Sequence, residues 1–199
     1  MITLGGESGY QWPADPEIDY DGSSVVGLTQ FDPYGLCTWE SSGGVIIAST
    51  SNPLYHQTTL YFPTPSVGNA KVFAFDFYIP SASPFCSFRV GFLGLEAYGL
   101  ANQNLYALTT GYSVQPVVGS ITLDAWHAAK FVLFGGCFGS LFIDDVHQIS
   151  ANVWSNSIAA EPWQISQIRV PVTADKNTKA VRFRNLRGFV AQTGLPNIE

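Results

Sequence analysis

Glu17-Ile18-Asp19-Tyr20-Asp21 places three carboxylates at alternate positions in one short run. On a β-strand alternate side chains share a face, so the three acids could meet one ligand or one scissile bond. Two chemistries use that arrangement. A retaining glycosidase needs a nucleophile and an acid/base on one side of a sugar ring. A calcium site collects hard oxygen ligands at alternate positions with glycine close behind, and Gly22 follows here. With Glu17 as the first position of a calcium loop, the twelfth is Leu28, which has no ligand atom. Pro13 and Pro16 before the acids, and Gly22 after them, favour a solvated loop. A second acidic pair, Asp144-Asp145, lies beside His147 and either joins a metal site or caps the amides of a turn. The expectation is no cofactor, with Ca2+ at Glu17, Asp19, Asp21, Asp144 and Asp145 as the alternative.

Aromatic side chains offer a different chemistry. Trp12, Trp39, Tyr98 and Tyr112 fall in or near loops, where exposed rings can stack on the faces of sugars. Caps on a sandwich end or subunit contacts are the alternative use for them. His56, His127 and His147 are isolated and lack zinc-ligand spacing. The Gly-x-Ser-x-Gly elbow, the phosphate loop and the dinucleotide glycine pattern are all missing. No catalytic residue is therefore assigned.

The element around which these residues must be arranged runs from Ile121 to Ile149. Trp126 to Phe134 and Ser140 to Ile149 are apolar runs of strand length flanking Gly135-Gly136-Cys137-Phe138-Gly139, the signature of a hairpin. Trp126 opens the first strand and Asp144-Asp145 closes the second. This resembles the tryptophan hairpin of laminin-G-like domains in the concanavalin A-like lectin and glucanase superfamily, whose second strand ends in an Ile-Asp-Gly-type turn; here the turn is Ile143-Asp144-Asp145. Val181-Arg-Phe-Arg-Asn-Leu-Arg-Gly-Phe-Val190 resembles the closing strand of the same sandwiches. The 17–21 acids are similar to the catalytic motif of laminarinase-type hydrolases of that superfamily, with Asp21 where a Glu stands. The resemblance implies a jelly-roll sandwich with Trp126 in its core, and glycan or calcium binding at its rim.

Other strands are legible by alternation. Phe73, Phe75, Phe77 and Ile79 share one face of Lys71 to Ile79 and should line the core. In the closing strand, strict alternation puts Phe183, Asn185 and Arg187 opposite Arg182, Arg184 and Leu186. Arginines then stand on both faces, as an edge strand or an interface at Arg182, Arg184 and Arg187 would require. Many short strands separated by Gly/Pro turns predict an all-β, two-sheet antiparallel sandwich of jelly-roll type. The expected division is an irregular arm over 1–24 and one sandwich domain over 25–199.

The 199 residues include 46% hydrophobic and only 12% charged residues, with a net charge of −6. That balance argues against nucleic acid and anionic membrane as partners, which need a basic footprint. The first 70 residues hold seven acids and no Lys or Arg, whereas six of the nine basic residues lie between Arg169 and Arg187. Either these segments meet within one chain, or the acidic arm of one copy meets the basic strands of another. The start lacks a basic and apolar leader, so synthesis in the cytoplasm without a signal peptide is expected. Three dispersed cysteines suggest free thiols. Together these features predict a non-enzymatic structural or adhesive protein of a larger assembly, such as a phage or virus decoration, tail or fibre protein. Its partners would be copies of itself, capsid or tail proteins and a surface glycan. The alternatives are a lectin-like carbohydrate-binding module and, less favoured, a glycoside hydrolase or polysaccharide lyase.

Overall fold

Runs of β-branched and aromatic residues punctuated by Gly, Pro and Asp fold as strands almost throughout. The computed structural model describes residues 10–11, 15–53, 57–63, 70–83, 85–90, 93–98, 104–108, 114–134, 138–152, 164–168 and 170–193. The strands begin with β1 (Tyr10–Gln11), β2 (Ile18–Tyr20), β3 (Thr29–Phe31), β4 (Cys37–Ser42), β5 (Val45–Thr50) and β6 (Gln57–Tyr61). Then come β7 (Ala70–Tyr78), β8 (Phe85–Val90), β9 (Leu93–Tyr98), β10 (Asn104–Leu108) and β11 (Val114–Ser120). The last are β12 (Trp126–Phe134), β13 (Phe138–Ile143), β14 (Val146–Asn152), β15 (Gln164–Ile168) and β16 (Arg182–Thr193), with a short helix α1 (Lys176–Lys179) before β16. Among the described residues no helix is long and apolar enough to cross a membrane.

A nine-stranded sheet has the order β14-β13-β12-β7-β16-β5-β4, with β1 and β2 also paired to β16. A seven-stranded sheet has the order β11-β10-β9-β8-β15-β6-β3. The result is a two-sheet antiparallel sandwich, as the strand pattern predicts. Its core joins Phe73, Phe75, Phe77, Phe131, Leu141 and Phe183 of the larger sheet to Leu60 and Ile165 of the smaller. The rings of Phe75 and Phe131 stack with centroids 5.9 Å apart. Burial of each such side chain contributes about 1.5–3 kcal/mol. Trp39 ties the sheets together: its Nε1–H donates to Thr58 Oγ1 at 2.9 Å, from β4 to β6.

The tryptophan hairpin forms as β12 and β13, in register from Ala129↔Ile143 to Phe134↔Phe138. The run after it is cut in two at Asp144 and Asp145, whose φ angles of 50° and 62° place both in the left-handed region. Two such residues in succession make the tight turn whose twist suits a two-residue hairpin, and Asp tolerates it better than most residues. Trp126 departs from expectation. Ala129 and Phe131 face the core, so the even positions of β12 point outward, and Trp126 is partly exposed on the outer face.

The closing strand brings a second correction. Asn185 has φ 53°, and the β16–β7 register shifts between Arg184 and Arg187. This β-bulge inserts one residue and resets the alternation. Phe183 before it and Leu186 and Val190 after it all reach the core, while Arg182, Arg184 and Arg187 all stand on the outer face. Strict alternation had split the arginines because it had no extra residue to count.

The N-terminal segment is likewise more regular than its Gly/Pro content suggests. Ile18 is buried in the core, β2 pairs with Leu186–Gly188 of β16, and β1 pairs with Gln192 and Thr193. These parts of 1–24 belong to the sandwich and do not form an irregular arm. Gly22 is required just beyond β2: its φ is 101°, and a Cβ there would lie 2.6 Å from the Gly44 carbonyl oxygen. At the far edge, Gln30 of β3 closes β4: its Nε2 donates to the Trp39 carbonyl at 3.2 Å and its Oε1 accepts from Trp39 N at 3.0 Å.

Candidate functional site: the outer face of the nine-stranded sheet

Three neighbouring strands, β12, β7 and β16, set side chains side by side on the outer face in four rungs. Val132, Val72 and Phe189 make an apolar rung, with Phe142 packed against it. Lys130, Ala74 and Arg187 make a cationic rung with a methyl group at its centre. The next rung is Ala128, Asp76 and Arg184, followed by Trp126, Tyr78 and Arg182. Where the two small side chains Ala74 and Ala128 lie the surface dips: Ala128 is exposed, and Ala74 is 8% exposed between Lys130 and Arg187. The result is an open cleft of about 270 Å³, floored by these alanines and walled by Asp76, Lys130, Asp145, Asn185 and Arg187.

The polar groups around the cleft are held by one another. Asp76 Oδ2 accepts from Arg184 Nε at 3.2 Å and from Asn185 Nδ2 at 2.7 Å. The bulge therefore has a second effect, turning the Asn185 amide onto the same carboxylate as the preceding arginine. Arg184 also lies over the indole of Trp126, 3.9 Å from the ring centroid, and Arg182 lies 4.9 Å from the Tyr78 ring centroid. Such cation–π contacts fix both side chains at modest energy. Lys130 Nζ lies 3.3 Å from Asp145 Oδ1, and Arg187 Nε lies 3.2 Å from Asp19 Oδ1. The acidic segment and the basic strand thus meet within one chain at Asp19 and Arg187.

The acids expected to gather do not share a site. Among the described residues no three His, Cys, Asp or Glu side chains come together as a metal set. Glu17 and Asp19 are exposed, with Ile18 between them buried, so alternation holds on β2. Asp19 is drawn to Arg187. Asp21 instead accepts from Ser23 N at 2.8 Å, and its hydrogen bonds to Ser23 hold its carboxyl below the usual value. Asp144 is engaged on both oxygens: Oδ2 meets His127 Nδ1 at 2.7 Å and Oδ1 accepts from Ala128 N at 2.9 Å. His127 Nε2 also lies 2.9 Å from the Thr122 carbonyl, so this histidine clips the hairpin turn to β12. Asp124 holds the loop before β12, accepting from Ser81 N at 2.9 Å and from Tyr78 Oη at 3.3 Å; the Ser81 bond lowers its pKa most.

The aromatic expectations fare unevenly. Trp39 is 2% exposed and presents no ring to solvent, so its assignment as a sugar platform is corrected. Its position inside strand β4, and not in a loop, is the reason. Tyr98 ends β9; Trp12 and Tyr112 lie outside the described residues. Trp126 and Tyr78 are the rings beside the cleft, and neither was singled out for binding from sequence. The alanines at its floor carry no sequence signal at all, because an alanine in a strand reads the same whether it faces a cleft or a neighbour.

No family model matches the chain, and no curated protein matches it. Solved structures do. A Bacillus subtilis protein of unknown function with a galectin-like fold matches at TM-score 0.61 and 8% identity, over 93% of this chain and 100% of that one. The carbohydrate recognition domain of Emp47p matches at 0.57 and 9%, over 96% and 100%. The CBM2 module of the evolved Dit of Lactobacillus casei BL23 phage J-1 matches at 0.61 and 12%, over 94% and 100%. A sialidase also matches, at 0.61 and 10% over 87% of this chain, but the chain spans only 18% of that protein's length. Sequence identities this low speak for architecture alone: the chain has a galectin-like, jelly-roll β-sandwich fold.

Proposed function

We propose that this protein is a non-enzymatic carbohydrate-binding module that serves as an adhesive part of a larger assembly, a phage or virus particle being the favoured setting. The observation that carries the reading is the cleft over Ala74 and Ala128. A sugar ring needs a flat floor for its C–H face and fixed donors and acceptors for its hydroxyls. The alanine methyls offer the floor. Asp76 and Asn185, locked together at 2.7 Å, offer an acceptor and an amide at one wall, with Lys130 and Arg187 beside them. Trp126 and Tyr78 extend the face by an aromatic rung. The resemblance of the tryptophan hairpin to laminin-G-like, concanavalin A-like domains supports the same reading. So do the carbohydrate recognition domain and the phage carbohydrate-binding module among its structural neighbours.

A hydrolase reading gains less support. The acids of the 17–21 segment face solvent at β2, with Asp19 paired to Arg187. Asp76 Oδ2 already accepts from Arg184 and Asn185, so that oxygen is engaged within the protein. The test is a glycan array followed by titration calorimetry on hits, with Ala128→Phe as the variant. Ala128 is exposed, so a larger ring there should fill the cleft without disturbing the core. Sugar binding by the wild type that Ala128→Phe abolishes supports the assignment. An empty array, or binding indifferent to that substitution, refutes it.

A further inference from the structure

We propose that the cleft selects an acidic sugar, a uronate or similar carboxylated residue, and holds its carboxylate between Lys130 and Arg187 above Ala74; this rests on the carbohydrate reading. Lys130 and Arg187 are both register partners of Ala74, one from each neighbouring strand. Adjacent strands lie about 4.8 Å apart, so the two side chains rise roughly 10 Å from each other with only a methyl group between. Both stems are long enough to close on one anion in that gap. Both residues line the same cleft.

Their existing partners leave this capacity in place. Asp145 is 89% exposed, and its contact to Lys130 is a single one at 3.3 Å. Asp19 is 54% exposed and meets Arg187 through Nε, so the two terminal nitrogens of the guanidinium are not spent on it. The Arg187–Asp19 pair is exposed at both ends and contributes little; the Lys130 side chain is 14% exposed, but its partner carboxylate is free to leave. The Lys130 ammonium lies 4.8 Å from the ring centroid of Phe142, its register partner on β13, and swings from that ring to meet an anion over Ala74. The remaining acid of the wall, Asp76, is offset by Arg184 and Asn185. In a chain of net charge −6, four of the nine Lys and Arg residues (Lys130, Arg182, Arg184 and Arg187) stand on this one face. A hydroxymethyl group in the gap would gain hydrogen bonds ionised on the donor side only, whereas a carboxylate gains ion-paired ones from both sides.

Titration calorimetry with mannuronate oligomers, against mannose oligomers of the same linkage and length, decides the matter. Galacturonate and galactose oligomers make a second matched pair. The acidic member of at least one pair should bind about tenfold or more tightly, with affinity falling as salt rises. Lys130→Gln and Arg187→Gln remove the charge, keep a polar though shorter side chain, and should each erase the preference, while Lys130→Arg should retain it; circular dichroism confirms folding of each. Equal binding of acidic and neutral oligomers, or a preference that survives both Gln variants, overturns the acidic assignment and leaves the carbohydrate reading standing. Binding of no oligomer, together with an empty array, overturns both.

Discussion

Changes at Asn185 test whether it is the one extra residue of the closing strand. Asn185→Gly keeps the positive φ without strain but loses the Nδ2 bond to Asp76. That exposed bond is worth about 1 kcal/mol, and release of the left-handed backbone cost returns part of it, for a net loss near 0.5 kcal/mol. Asn185→Val loses the same bond and forces a β-branched residue into the left-handed region, adding about 1–2 kcal/mol, so the total is roughly 2–3 kcal/mol. Deleting Asn185 removes the extra residue and leaves Arg184 outward, Leu186 inward and Arg187 outward, the alternation of a plain strand. Leu186 and Val190 then stay in the core, and the cost is about that of the lost Nδ2 bond, roughly 1 kcal/mol. Were Asn185 an ordinary member of the alternation, its loss would turn Leu186 and Val190 outward at about 3–6 kcal/mol. Urea unfolding followed by circular dichroism and tryptophan fluorescence should place the Gly and deletion variants close together just below wild type, and Val below both. A deletion that costs as much as two lost aliphatic burials, or Val as stable as Gly, would show that Asn185 is not the extra residue.

Three further outcomes follow from the same geometry. Trp126→Ala should cost only about 1–2 kcal/mol in denaturant unfolding because its ring is partly exposed, against ~3–5 kcal/mol for Phe75→Ala in the core; the reverse order would contradict the outward placement of β12's even positions. Asp145→Gly relieves a φ of 62° and loses only an exposed ion pair, so thermal unfolding should show a gain of about 0.5 kcal/mol. Burial, with help from Asp32, raises the Cys37 thiol from 9.0 to about 11. At pH 8 its thiolate fraction is then about a hundredfold below that of an ordinary thiol, and peptide mapping should find it slow to alkylate with iodoacetamide. The sign is that of an acid kept neutral by the fold: the stabilising effect is whole below about pH 9 and erodes as pH rises toward 11.

What could be read from the sequence was set by periodicity. Phe73, Phe75, Phe77 and Ile79 alternate without interruption, and all four are buried. The tryptophan hairpin was legible because its glycines and apolar runs are local signals. Periodicity failed wherever one residue changed the count. Asn185 shifts β16 by one position, and nothing in Arg-Asn-Leu-Arg distinguishes a bulge from plain alternation. Trp126 was read as a core anchor because large apolar residues usually are, yet its parity with Ala128 and Lys130 sends it outward. The cleft was invisible for a different reason. Its walls come from β7, β12 and β16, separated by dozens of residues, and its floor is two alanines defined by what they do not fill. Pairing of Asp76 with Arg184 and of Asp19 with Arg187 is a property of strand order, which charge counting along the chain does not contain.

The amide of Gln30 on the backbone of Trp39 also bears on how the molecule behaves in a crowd. A foreign strand arriving at the rim of the large sheet would find that position already taken, by a side chain imitating a peptide group. To dock there it must first evict the glutamine, trading two hydrogen bonds for two and gaining nothing. With only 12% of its residues charged, the chain has little repulsion to keep copies apart. A self-terminated rim is therefore a local safeguard against sheet-to-sheet polymerisation.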